Sequence, residues 1–416
     1  MLKKKFINKN TFTIFVCWLV YTCSYIGKLG FNANIALIES EFGVTHAESG
    51  AVGTAFFLSY GAGQVINGIF CKKYNAGYTI FFSLLISAVC NLLITVVGNF
   101  ALIKWIWLCN GAALSVLWSL LIRVLSETLD ERYSSQAVVV MGTTVAAGTF
   151  AVYGLSALFV RFFVYKIIFY VAAVLLPLIA CIWFFSYRSF ASVKHVNTVI
   201  TENTERKGRK ADFAFISTII ILAFFAITTN FEKDGITVWI PAILKETYDM
   251  PDYTSILLTL CLPVVSLFGT MVAVFFNKYI KNYVILSGLF FAITVPALII
   301  NVLFMRNSVV VMLFSLSVIA LFSSGINNVI TSMAPLRYKY RANAGLLAGV
   351  LNGCCYIGST LSSYGLGAVA DNYGWNAVFY LLIFCSGLCC LISLINLIFN
   401  LRKTRGQKSD NVAGDR

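Results

Sequence analysis

Two lysines lie inside long apolar segments, where a charged side chain is unusual. Lys28 falls in the segment 11–34 and Lys233 in the segment 213–246. An ammonium group is costly in the hydrocarbon of a membrane, so it is retained where it faces a polar or watery interior. A buried cation attracts anions. These two residues therefore indicate an anion-binding site.

The two lysines also occupy equivalent places in two parts of the chain. Lys233 lies 205 residues after Lys28, which is about half the chain length. At this offset five pairs of residues are identical: Lys28 and Lys233, Gly30 and Gly235, Ile35 and Ile240, Ile38 and Ile243, and Glu41 and Glu246. Repeats of this kind build one substrate site where they meet. The offset predicts a single anion site to which each half contributes one lysine.

Tyrosines accompany Lys28 at helical spacing. Tyr21 and Tyr25 precede it by seven and three residues, and residues at i, i+4 and i+7 share one helix face. Two phenol hydroxyls and an ammonium make a wall of hydrogen-bond donors suited to an oxyanion. The alternative is that Lys28 extends to the outer membrane interface as a snorkelling side chain. That alternative leaves the matching Lys233 unexplained.

Lys233 stands between two acids, Glu232 and Asp234. Neighbouring residues on a helix point about 100° apart, so the three side chains face different directions. We expect one acid to pair with Lys233, and we treat both as candidate ion-coupling residues. The alternative is a purely structural salt bridge.

The composition is that of an integral membrane protein. Of 416 residues 59% are hydrophobic and 12% are charged, and the mean hydropathy is +0.84. A soluble domain has about 25% charged residues. The net charge of +14 lies mainly in short loops and does not indicate nucleic acid. We expect the lipid bilayer and a small anionic substrate as partners, and a functional monomer in the inner (plasma) membrane.

Twelve segments are long and apolar enough to span a bilayer. They are residues 11–34, 47–70, 78–98, 100–126, 136–160, 163–186, 213–246, 253–277, 282–304, 308–332, 342–367 and 374–400. The segment 213–246 is about 50 Å long as a helix, so it must protrude, tilt or break. The pattern predicts an all-α membrane protein with twelve transmembrane helices in two six-helix halves.

The predicted domains follow from these segments. An N-terminal bundle covers 1–186, a polar linker 187–212, a C-terminal bundle 213–400 and a tail 401–416. Most of the 31 Lys and Arg residues fall in the ends and loops on the side of the N-terminus. Because cytoplasmic loops carry this excess, both termini and the linker are predicted to be cytoplasmic.

No pattern for catalysis or metal binding is recognisable in the sequence. The 12 cysteines lack metal-ligand spacing, the only histidines are His46 and His195 in predicted loops, and nucleotide, nucleophile-elbow and zinc motifs are missing. Polar residues within the spans pair at helical spacing instead, as Tyr60 does with Gln64. We therefore predict neither an enzyme nor a resident metal or cofactor.

With these features the chain resembles the major facilitator superfamily, and within it the organophosphate:phosphate antiporter family, which includes the glycerol-3-phosphate and hexose-phosphate transporters. The likeness extends over nearly the whole chain. Helix 11 and the start of helix 12 of the family resemble the stretches RANAGLLAGVLNGCCYIGSTLSS at 341–363 and VADNYGWNAVF at 369–379. The resemblance implies transport by alternating access.

The resemblance also implies roles for particular residues. Lys28 and Lys233 fall on two essential arginines of the family, while Thr143 and Gln64 replace a histidine and a basic residue. Aromatic positions of the family pattern match Tyr21, Tyr25, Tyr60, Trp239 and Tyr356. Lysine lacks the planar fork with which arginine grips phosphate, so a carboxylate stays an alternative to a phosphate ester.

The sequence thus favours a secondary transporter of a small organic anion, foremost a phosphorylated metabolite such as a sugar phosphate or glycerol phosphate. Two alternatives stay open. One is a proton-coupled symporter of sugar acids or other carboxylates, and the other is a membrane sensor that binds such ligands without transporting them.

Overall fold

A computed structural model describes residues 9–70, 73–191, 213–338 and 344–414. Regular secondary structure in these ranges is entirely helical. The first nine helices are α1 Lys9–Ala33, α2 Ile35–Phe42, α3 His46–Phe70, α4 Ala76–Val96, α5 Phe100–Leu114, α6 Leu117–Thr128, α7 Glu131–Gly142, α8 Thr144–Phe162 and α9 Ile167–Ala191. The others are α10 Phe213–Tyr248, α11 Asp252–Leu258, α12 Cys261–Ser266, α13 Gly269–Asn277, α14 Tyr283–Phe304, α15 Val309–Asn328, a π-helical turn Val329–Met333, α16 Ala334–Arg337 and α17 Ala344–Gly414.

The helices follow the predicted apolar segments closely. Within the described ranges, ten helical stretches are long and apolar enough to cross a membrane. The last of them, Leu347–Phe399, covers most of both of the final two predicted spans, and α17 is interrupted there at Gly374, whose φ of 75° favours glycine. The glycine-rich α3 lies outside the ten and coincides with the second predicted span. The count of twelve stays a prediction, as does the orientation.

The long span 213–246 forms one helix, α10. It runs through Gly235 and Pro241 without a break, with Pro241 inside the helix. Most of the predicted linker lies outside the described residues, apart from its start at 187–191, which belongs to α9. The last two residues of the predicted tail also lie outside them.

Two compact units divide the chain. The first comprises Met1–Arg209, Ile236–Val264 and Thr360–Asp371, and the second comprises Lys210–Gly235, Val265–Ser359 and Asn372–Arg416. Both α10 and α17 contribute to each unit. The predicted domains, divided at the linker, stay a prediction.

In the first unit, α1 packs on α8 and α9, α4 on α9, and α3 on α5. Trp107, Phe169 and Trp183 fill its interior. Asn75 caps α4 by accepting hydrogen bonds from the backbone of Gly77 and Tyr78, which satisfies donors that have no partner within the helix. This packing fixes α1, the helix that carries Lys28.

In the second unit, α14 packs on α15, and α13 on α15. Its core includes Leu222, Phe225, Phe290 and Phe291. Asn282 caps α14 from the position just before it, as Asn75 caps α4. The recurrence of this cap in the other half of the chain agrees with the repeat suggested by the two lysines.

Candidate functional site

The predicted stripe on α1 forms an aromatic cluster. Tyr21 and Tyr25 are buried, and their rings meet edge to face with centroids 5.6 Å apart. Tyr60 of α3 joins them, its hydroxyl lying 3.4 Å from that of Tyr21. The ring of Trp118 lies 4.9 Å from Tyr21. Residues far apart in sequence thus build one wall.

Lys28 places its ammonium against the faces of these rings. Its Nζ lies 4.2 Å from the centroid of Tyr60, 5.1 Å from that of Tyr25 and 5.8 Å from that of Phe56. We call Lys28, Tyr21, Tyr25, Phe56 and Tyr60 the Lys28 site. Aromatic faces attract a cation through their quadrupole and accept no conventional hydrogen bond from it. The ammonium therefore retains donors for an anionic acceptor.

The Lys28 site contains no acid that would neutralise the lysine. Across the described residues, no carboxylate oxygen lies within 4.0 Å of the Lys28 ammonium. The side chain is only partly buried. A positive charge surrounded by aromatic rings and without an acidic partner favours binding of an anion.

A buried polar network holds the backbone next to Lys28. The amides of Asn91 and Asn110 donate to the carbonyl oxygen of Gly27 at 3.1 and 2.8 Å, and Ser87 donates to Asn110 at 2.7 Å. A Cβ at Gly27 would lie 2.8 Å from the side chains of Leu176 and Ser87, so these would have to shift to admit it. The network fixes the position of α1 at the turn that presents the lysine.

Lys233, in the second unit, has a different environment. Its Nζ lies 3.3 Å from Oδ1 of Asp234, and both side chains are about a quarter exposed. The hydroxyl of Ser359 donates to the other carboxylate oxygen of Asp234. Of the two neighbouring acids, Asp234 is therefore the ion-pair partner of Lys233.

Glu232 is directed elsewhere. It is 1% exposed and accepts hydrogen bonds from Ser386 at 2.7 Å and Ser323 at 3.5 Å. In the described residues, it has no Lys, Arg or His within 4.0 Å. Burying an ionised carboxylate without a cation is very costly. The two acids thus differ in chemistry, as their angular separation on the helix predicts.

The remaining predicted residues lie at varied places. Gln64 is partly buried one turn after Tyr60 on α3, and Tyr356 is partly buried on α17. Thr143 is exposed where α7 ends, and it accepts a hydrogen bond from Trp18 at 3.0 Å. Trp239 is fully buried, with its ring edge-on to the imidazole of His46 at 5.4 Å. Their roles in substrate binding stay predictions.

Several residues that the fold places at these sites were not predicted from the sequence. Phe56 precedes Tyr60 by four residues, so helical spacing was an available signal. The cluster of Glu39, His46 and Glu246 joins residues from distant segments, so no local spacing in the sequence predicts it. Ser386 and Ser323 are likewise recognisable only from the packing of α10.

A family model described as Major Facilitator Superfamily matches residues 17–363. The chain therefore belongs to the major facilitator superfamily, a family of transporters, and it is a multi-pass membrane protein. The predicted membership in the superfamily and the predicted multi-pass membrane protein are both confirmed.

Individual relatives agree with this assignment. A "Probable hexose phosphate transport protein" from Chlamydia pneumoniae is 21% identical over 430 residues, covering 95% of this chain and 92% of the relative. Two crystal structures of a bacterial homolog to the human lysosomal transporter Spinster share the fold. The occupied inward-facing form has a TM-score of 0.70 at 13% identity and covers 93% of each chain. The unoccupied form has a TM-score of 0.73 at 15% identity and covers 93% of this chain and 94% of its own.

Proposed function

We propose that the protein is a secondary active transporter of a small organic anion, most specifically a phosphorylated metabolite such as a sugar phosphate or glycerol phosphate. The observation that carries this proposal is the Lys28 ammonium, which lies against aromatic faces without a carboxylate partner in the described chain. A cation in this setting binds an anion more strongly than one already paired. Tyrosine hydroxyls supply further donors for its oxygens.

The substrate class is supported by two independent considerations. The relative from Chlamydia pneumoniae is named as a probable hexose phosphate transport protein. A phosphate ester carries up to two negative charges near neutral pH, and the sequence repeat supplies two lysines, Lys28 and Lys233. In this proposal both lysines contact the anion during the transport cycle, with Gln64, Thr143, Trp239 and Tyr356 as further candidate contacts.

Exchange across a membrane tests the proposal. Purified protein in liposomes loaded with unlabelled glucose 6-phosphate should take up labelled glucose 6-phosphate, and Lys28→Ala should abolish this counterflow. Lys104→Ala is the matched control because Lys104 is exposed and lies outside the site. If the protein takes up gluconate but not glucose 6-phosphate, glycerol 3-phosphate or inorganic phosphate, the substrate is a carboxylate and not a phosphate ester. Binding without counterflow by any probe would identify a sensor.

Glu232 supports a second candidate function, a proton-coupled symporter of carboxylates. A buried carboxyl group held by two serine hydroxyls and lacking a cation partner is suited to carry a proton in one state and release it in another. In this candidate function a proton gradient drives accumulation. Glu232→Gln should then leave counterflow intact and remove the stimulation of uptake by an inward proton gradient. Glu127→Gln, at an exposed acid, is the control.

A further inference from the structure

A second cluster of charged residues lies in the first unit, and none of its members has a role in the function proposed above. His46 is the first residue of α3. Its Nδ1 lies 3.0 Å from Oε2 of Glu39 on α2, and its Nε2 lies 3.2 Å from Oε1 of Glu246 near the end of α10. Asp371 of α17 completes the group, which we call the His46 cluster: Glu39, His46, Glu246 and Asp371.

The geometry determines the protonation state of the ring. An ionised carboxylate only accepts hydrogen bonds, and a neutral imidazole has a single N–H. When both acids facing the ring are ionised, both ring nitrogens donate, which corresponds to the imidazolium form. The cluster is therefore suited to hold a proton between two acids.

The surrounding charges favour that proton. Burial by itself lowers the pKa of His46, but the hydrogen bonds and negative charges of Glu246 and Glu39 outweigh it and raise the pKa to about 10. Two further acids, Glu48 of α3 and Asp371 of α17, bind backbone groups at the start of α3. Glu48 accepts from the backbone of Thr45, and Asp371 accepts from the backbone of His46 itself.

The cluster ties together helices that are distant in sequence. The backbone N–H groups of His46 and Ala47 donate to the two carboxylate oxygens of Asp371 at 2.9 and 2.7 Å. Asp371 thus caps the N-terminus of α3 from another helix, where its negative charge also suits the helix dipole. The imidazolium adds the link to Glu246 on α10.

Close packing extends this contact along α3. Thr54 donates to the carbonyl of Thr360 at 2.8 Å and Ser363 to that of Gly50 at 3.0 Å. A Cβ at Gly50 or Gly367 would collide with backbone of the facing segment. A closely packed interface of this kind forms or separates as a whole. The His46 cluster at its end can therefore shift the equilibrium between the packed and the separated state.

We propose that His46 is a regulatory proton-binding site, and that its protonation locks the start of α3 to α10 and α17 in the conformation described here. By the loop charges, this end of the helices is predicted to face the outside. The inference goes beyond the proposed function and does not depend on which anion is transported. It predicts that acid on that side holds the outer ends of these helices together.

The direction of the pH effect follows from linkage. In the locked state the pKa of His46 is about 10, and in an open state, away from the acids, it returns to about 6.5. The stabilisation of the locked state is fully present below the open-state pKa and is lost as pH rises towards the locked-state pKa. Between these limits the ratio of locked to open molecules falls by at most about tenfold per pH unit.

Hydrogen exchange measured by mass spectrometry tests the proposal on the full chain in lipid nanodiscs. The peptides covering 44–54 and 236–249 report on the lock. After correction for intrinsic exchange rates, their protection in the wild type should fall severalfold per pH unit above about pH 7. His46→Gln should abolish this dependence. His195→Gln, which changes the other histidine of the chain, should retain it.

A second variant keeps the test decisive if His46→Gln does not fold. Glu246→Gln leaves the histidine in place but removes one charged acceptor, so its pH dependence should move to lower pH. Protection that does not vary with pH in the wild type would overturn the proposal. So would an unaltered pH profile in His46→Gln or, where that variant does not fold, in Glu246→Gln.

Discussion

Lys28 and Lys233, which occupy equivalent positions in the two halves of the sequence, have different environments. Lys28 lies over the rings of Tyr60 and Tyr25, and in the described chain no acid is in reach of it. Lys233 forms an ion pair with Asp234, whose carboxylate is also held by Ser359. A lysine is thus present at both positions, and within the described residues an acid pairs with Lys233 and not with Lys28.

The difference separates two ways of keeping a charge inside a membrane protein. Aromatic rings stabilise an ammonium without neutralising it, so the electrostatic attraction for an anion is retained. A carboxylate neutralises it, so an incoming anion must compete with the protein's own acid. Lys28 is accordingly the stronger candidate for the primary anion contact, and Lys233 for a contact that depends on Asp234.

Removing the Lys28 ammonium should have the largest effect on binding. Lys28→Ala is expected to weaken binding of glucose 6-phosphate by about 30-fold or more, because a hydrogen bond to a charged group contributes about 2 kcal/mol. Ligand-dependent thermal shift or calorimetry measures it. Lys104→Ala should bind like the wild type. Equal affinity in Lys28→Ala and Lys104→Ala would show that the uncompensated lysine is not the anion contact.

Removing the partner of Lys233 should have a smaller effect whose sign depends on the substrate. Asp234→Asn removes the ion pair between Asp234 and Lys233, so a phosphate ester should bind up to about fivefold more tightly, the scale set by a partly exposed ion pair. A monocarboxylate such as gluconate should bind more weakly, because the second lysine loses its internal counter-charge.

Parallel titrations of Asp234→Asn with glucose 6-phosphate and gluconate separate the two cases. Glu127→Gln, which alters an exposed acid, serves as the control. If neither titration differs from that of the control, Asp234 does not modulate Lys233 and the comparison between the two lysines loses its functional meaning.

Altering the ring nearest Lys28 should produce a change of a few fold. Tyr60→Leu removes the closest aromatic face, and binding should weaken by about threefold, as expected for one cation–π contact. Tyr60→Phe keeps the face and loses the 3.4 Å hydroxyl contact with Tyr21, so its affinity should stay within about twofold of the wild type. Affinity for glucose 6-phosphate measures both. If Tyr60→Phe proves as damaging as Tyr60→Leu, the hydroxyl and not the ring is the functional group.

The smallest effect on binding is expected at Glu232. Glu232→Gln has nearly the same shape and keeps a carbonyl oxygen for the serine hydroxyls, so affinity for the anion should change by less than about twofold. Comparing the effects of Glu232→Gln and Asp234→Asn on anion affinity is informative, because the two acids are only two residues apart and differ in their contacts. A loss of binding in Glu232→Gln comparable with that in Lys28→Ala would place Glu232 in the anion site itself.

Much of the fold was predictable because the bilayer imposes strong constraints on sequence. A span must be apolar over about 20 residues and must satisfy its backbone hydrogen bonds internally. Helical segments were therefore predicted nearly in place, and α10 follows its predicted segment almost to the residue. Membership in the superfamily was likewise predicted from the chain-wide pattern and is confirmed by the match over 17–363.

Part of the candidate site was predictable for a related reason. Spacing on one helix determines which residues share a face, so Tyr21, Tyr25 and Lys28 were grouped from sequence. The same rule says that Glu232, Lys233 and Asp234 diverge in direction. It does not say which acid stays with the lysine, because that depends on what packs beyond each one.

The sequence by itself determined that the chain is helical, that it enters a membrane and that it places two cations there half a chain apart. Tertiary structure alone decided how each charge is compensated: aromatic faces from α3 at Lys28, Asp234 and Ser359 at Lys233, serines at Glu232, and two acids around His46. The physical reason is that electrostatic compensation acts over a few ångströms in space, and partners such as Tyr60, Ser359, Ser386 and Glu246 lie tens or hundreds of positions from the groups they contact.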